Sequence, residues 1–204
     1  MQTKTTLFSL LFIFILLISC KPNEEKNNSI EGIWKSIGYG KILKIDTISY
    51  EYYNITDISC LPSKKGNISD VSEKMQISND TLTITRGFSE YRYERLSKFP
   101  DLCQQSAIDK NDILYNFEVF ANIYKNHYAY FELNKIDWEN IYKNSKNKLN
   151  STSTEIDLYL VIEDMIEKLK DNHGSIEPTD EIYELAENQI QSEIEEEETE
   201  ELKE

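Results

Sequence analysis

The chain has 204 residues, with 37 acidic against 22 basic side chains and a net charge of −15. That charge repels phosphate, which excludes nucleic acid as a natural partner and argues against docking on an anionic lipid surface through protein charge. An aromatic content of 11%, with 13 tyrosines, excludes an intrinsically disordered chain, and the length allows one domain or two small ones around a buried core.

Lys4 precedes an apolar run from Leu7 to Ile18, which leads directly into Ser19-Cys20. The run is too short to cross a bilayer comfortably and suits the apolar stretch of a signal peptide; a short transmembrane anchor is the alternative. A small residue followed by Cys at this point is the bacterial lipobox pattern. Cleavage before Cys20 frees an α-amino group and a thiol, and several acyl chains on one residue anchor a protein stably where one would not. Residues 1–19 are therefore read as a lipoprotein signal peptide and residues 20–29 as the lipidated Cys20 with a polar tether containing Pro22. The expected partner is the lipid bilayer and the expected location the bacterial cell envelope, on the periplasmic face or the outer surface. Glu24-Glu25 resembles a surface-export signal, with a plain solvated linker as the alternative.

Residues 30–104 read as a β-rich module. Ile42–Ile45, Tyr50–Ile55 and Thr81–Thr85 are rich in β-branched and aromatic residues, and Lys65-Gly66-Asn67, Asn79-Asp80 and Gly87 punctuate them. The spacing predicts a small antiparallel sheet or partial barrel, lipocalin-like at its Gly32-Ile33-Trp34 start, with Trp34 as a core plug. A closed lipocalin barrel needs about eight strands, more than this stretch can supply. With Cys20 lipidated, Cys60 and Cys103 remain, and an even pair in an oxidising compartment favours a disulfide; two free buried thiols are the alternative. No metal is expected, since two cysteines without CxxC spacing and two histidines cannot complete a zinc shell. No cofactor is expected either.

After Cys103 the apolar period lengthens, and residues 105–190 read as three to four helices. Leu114, Phe117, Phe120, Ile123 and Tyr124 mark the first helix; Asp137 caps a second carrying Trp138, Ile141, Tyr142 and Leu149. Residues 152–155 supply a capping box for a third, whose face is Ile156, Tyr159, Ile162, Ile166 and Leu169 and whose end is placed at Asn172-His173-Gly174. A weaker helix follows around Ile182–Ile190. Residues 191–204, a block of glutamates, read as a solvated, disordered tail; they lack the glycine-turned oxygen cage of a calcium site. The aromatic stripes read as core, and His127, among Tyr124, Tyr128 and Tyr130, as a partly buried packing residue.

Ile136-Asp137-Trp138-Glu139, a spacer, then Leu160 through His173 resembles the helical lead-in of the tail-specific, tricorn-core-type serine peptidases, where a DW helix start precedes a helix ending in L-x-D-x-H. Gly32–Gly40 with Ser59-Cys60-Leu61-Pro62 is similar to the β-rich N-terminal module of lipoprotein members, and Asn126–Leu133 resembles their interdomain helix. In the tricorn branch the resemblance makes His173 the general base, with an acidic residue orienting its ring; Asp171 stands nearby. The preceding residue is serine in that branch and Asn172 here. In the processing-protease branch a serine–lysine dyad acts and this histidine takes no part. Downstream of His173 stand only Ser175 and Ser192 and a single glycine, Gly174, without the glycine-rich turn that would present a nucleophile.

The expectation is an α+β protein that forms the N-terminal part of a membrane-anchored serine peptidase acting on polypeptides. It lacks the nucleophile-bearing domain and is not proteolytic alone. A stand-alone envelope lipoprotein that binds a peptide or small hydrophobic ligand, or acts as a scaffold, is the alternative.

Overall fold

Large apolar side chains alternate with polar ones between Gly32 and Leu96, the pattern of a sheet with one buried face. The computed structural model describes residues 28–71, 74–104 and 111–201; the signal peptide and Cys20 lie outside these. The strands are β1 (Gly32–Ser36), β2 (Lys41–Ile45), β3 (Ser49–Ile55), β4 (Cys60–Asn67), β5 (Met75–Ser78), β6 (Thr81–Arg86) and β7 (Ser89–Leu96). They form one antiparallel sheet in the order β4-β3-β2-β1-β7-β6-β5. Two meanders thus join along the β1–β7 ladder, and β4 and β5 remain as edges. The sheet is open, not a closed barrel.

Its inner face is filled by Trp34, Leu43, Ile45, Tyr50, Tyr52, Leu82, Ile84 and Tyr93. Trp34 is fully buried, donates its indole N–H to the Ile30 carbonyl at 2.8 Å and is covered by the Arg95 guanidinium, 4.0 Å from the ring centre. Asn79 and Asp80 both take positive φ, 50° and 58°, as a two-residue hairpin turn requires. Pro62 lies in edge strand β4, beside a register shift at Tyr52/Tyr53, where a missing N–H costs nothing on the solvent side.

Four helices follow: α1 (Ile113–His127), α2 (Trp138–Lys146), α3 (Glu155–Glu167) and α4 (Asp180–Glu201). Asp112 caps α1, Asp137 caps α2, and Thr154 forms a reciprocal capping box with Asp157 at α3. Phe117, Ala121, Trp138, Val161, Met165 and Leu169 make their core. The helix α4 continues to Glu201, into the glutamate block that the charge pattern marks as a solvated tail. The tract Asn126–Leu133 is not a helix: α1 ends at His127 and a turn follows. Among the described residues no helix is long and apolar enough to cross a membrane.

Sheet and helices meet at three places. Cys60, at the start of β4, is disulfide-bonded to Cys103 in the turn after β7. Asp57 and Asn126 exchange two hydrogen bonds of 3.0 Å across the β3–β4 hairpin and the end of α1. His127 is exposed, yet its Nε2 donates to the Ile55 carbonyl at 2.9 Å, and its ring fills the space over Gly40. Gly40 has φ +53° and a Cβ there would lie 2.0 Å from the imidazole, so only glycine fits.

Candidate active site

The site grows from the end of α3. Leu169, wholly buried, is the last residue of the apolar stripe, and the backbone then tightens into three-residue turns. Lys170 takes φ 52°, a left-handed conformation that stops the helix. His173 therefore stands in a turn beyond the helix, not at its C-terminus, and the helix dipole has no hold on it.

Asp171 organises that turn. Its Oδ1 accepts from the His173 backbone N–H at 3.0 Å and from the His173 ring Nδ1 at 3.0 Å. Its Oδ2 accepts from the Tyr128 hydroxyl at 2.9 Å, and Asn134 donates to that hydroxyl at 3.3 Å. The His173 backbone N–H, then its ring, then the Tyr128 hydroxyl hold the Asp171 carboxyl below its ordinary value of 3.8. Burial first, and then the bond to Asp171, push the Tyr128 phenol up.

A carboxylate can only accept, so Nδ1 carries the proton in the Asp171–His173 bond. The neutral ring then presents the bare lone pair of Nε2 to solvent, and the His173 side chain is 97% exposed. Asp171, by contrast, is 15% exposed and locked from two sides. Tyr128 is held in place by rings: Tyr124 at 5.8 Å, Tyr130 at 5.7 Å and Phe131 at 4.8 Å between centroids. Phe131 and Tyr124 in turn stack on Trp138 at 5.4 Å. The aromatic core thus carries the support of the acid that aims the base.

Beside the turn lies a cavity of about 390 Å³, lined by Glu163, Ile166, Glu167, Lys170, Asn172 and Ile176 among others. Among the described residues no hydroxyl or thiol bonds to Nε2. Ser175 is exposed and makes no bond to the ring, and Ser192 Oγ is turned back to the Gln189 carbonyl at 2.8 Å. Cys60 and Cys103 lie in the β-module and contribute a crosslink instead of chemistry.

The pairing of His173 with Asp171 was visible in the spacing of two residues. Tyr128 and Asn134 were not, because 43 residues separate Tyr128 from Asp171 and only the helix packing brings them together. Residues 109–167 match the family described as tricorn protease C1 domain. No curated protein and no solved structure matches the chain. The matched segment spans α1, α2 and α3, the three helices whose packing supports the turn. Through it the chain belongs to the tricorn/tail-specific protease-type family.

Proposed function

We propose that the chain supplies the general-base half of a serine peptidase site, acts on polypeptides, and is held at the bacterial envelope through lipidated Cys20. The observation that carries the reading is the His173 ring, fixed by Asp171 through Nδ1 with Nε2 facing outward. In that arrangement a serine hydroxyl contributed from outside the described residues bonds to Nε2. As the hydroxyl attacks the scissile carbonyl, Nε2 takes its proton, and Asp171 stabilises the imidazolium. The same nitrogen then gives the proton to the leaving amine, and water completes the cycle in the reverse sense. Donors for the oxyanion come from the domain that brings the nucleophile. The match to the tricorn protease C1 domain supports this division of labour.

The test is fluorophosphonate labelling of the protein recovered from membranes with an antibody against residues 30–180. The expected result is a labelled polypeptide heavier than 24.0 kDa, labelled at least ~100-fold more slowly in His173→Ala. A recovered protein that never labels, or that labels equally fast in the variant, overturns the reading. The purified 204-residue chain is expected to cleave nothing; reproducible cleavage lost in His173→Ala would place the nucleophile within it.

A further inference from the structure

The open sheet leaves one end of its inner face uncovered, far along the strands from Trp34. Three cations from three strands meet there: Lys41 of β2, Lys64 of β4 and Arg86 of β6 line a cavity of about 310 Å³. Tyr39, Tyr52, Tyr91 and Tyr93 form its walls and floor, and no Asp or Glu lines it. Among the described residues no carboxylate forms an ion pair with these three cations, although Lys98, Lys143, Lys146, Lys148 and Lys168 all have one. In a chain of net charge −15, carboxylates are abundant, so a cluster of cations without one is an organised anion site.

Arg86 is positioned by phenols instead. Its Nη2 donates to the Tyr52 hydroxyl at 3.1 Å, and its guanidinium lies 5.6 Å from the ring centres of both Tyr52 and Tyr91. Tyr52 and Tyr93 are buried and bond to each other, and burial pushes both phenols up, so the floor keeps neutral hydroxyls. Tyr39 packs on Tyr91 with centroids 5.5 Å apart. At the same end the β1–β2 and β6–β7 hairpins leave Ile37 and Phe88 exposed, an apolar border beside the charged one.

We propose that this cavity binds a small organic carboxylate with an aromatic or apolar body. The carboxylate sits among Lys41, Lys64 and Arg86, and the body lies against the tyrosine rings. The size is that of a compact ligand site at the mouth of a β-structure. Three cations converging on one point recognise the anion, and ring faces with the apolar border exclude a bare inorganic ion as the preferred occupant. None of these residues lies in the matched segment 109–167, so the site stands apart from the peptidase reading.

Calorimetric titration of the purified chain with 3-phenylpropanoate, 3-phenylpropanamide and inorganic phosphate tests this. The acid is expected to bind, the amide and phosphate at least ~10-fold more weakly, and the acid's affinity to fall as sodium chloride rises from about 0.05 to about 0.5 M. Lys41 and Lys64 are exposed, so the Lys41→Gln/Lys64→Gln variant should keep the native circular dichroism spectrum and lose at least ~10-fold in affinity for the acid. An acid that does not bind at about 5 mM, an amide that binds as well, or a phosphate that binds as well overturns the proposal. Should the double variant misfold, the comparison of acid, amide and phosphate on the unaltered chain still decides.

Discussion

At Asp171 one carboxylate serves a backbone N–H, an imidazole and a phenol at once. Its folded value lies below the ordinary 3.8, so the stability from these bonds is fully present above pH 3.8 and is lost as pH falls through the folded value. Titration of the Asp171 carboxyl carbon by NMR should show a midpoint below 3.8, moving upward in His173→Ala and in Tyr128→Phe. A midpoint at or above 3.8 in the unaltered protein would show that the turn is not formed in solution. The pairing of His173 with an acid was legible from adjacent positions. Its position past the helix end was not, because Gly174 carries the usual signature of a helix stop while Lys170 performs it.

Among the elements, α3 links the buried core to the turn that bears the base. Its N-terminus depends on Thr154, whose hydroxyl accepts from the Asp157 N–H while the Asp157 carboxylate accepts from the Thr154 N–H. Thr154→Ala should cost about 1 kcal/mol in urea unfolding with no change in slope. An unchanged midpoint would mean that tertiary packing alone fixes the start of α3. Caps at Asp137 and near Thr154 were readable because a cap is a local device. So were β2, β3 and β6, whose β-branched and aromatic residues suit a half-buried face. The strand β4 was hidden because Pro62, Lys64, Lys65 and Gly66 read as a turn; at an edge with one ladder partner, those residues are tolerated. The carboxylate cavity was hidden for another reason: Lys41, Lys64 and Arg86 converge only through the curl of the sheet and its register, which composition does not encode.

For the whole molecule, the crosslink between Cys60 and Cys103 closes a separation of 43 residues. In the chain-entropy model it contributes about 4 kcal/mol by restricting the unfolded chain. The Cys60→Ala/Cys103→Ala variant should lose about 2 to 4 kcal/mol in urea unfolding, and native unreduced protein should show neither thiol to an alkylating reagent. Free alkylation of both without reduction would remove the crosslink from the account. The disulfide, the Asp57–Asn126 exchange and the His127–Ile55 bond together tether the hairpin end of the sheet to the helices, so loss of the crosslink should loosen the joint before it loosens either core.

The β1–β7 ladder has a further consequence for the order of events as the chain emerges. β1 to β4 can zip through adjacent hairpins, and β5 to β7 can do the same, but the free side of β1 waits for Leu96 to reach Ile33. Two half-sheets therefore form early and dock late, with a bare strand flank on each in the interval. Cys60 belongs to the first half and Cys103 follows the second, so their oxidation is a clock for the docking: the crosslink closes only after the halves have met.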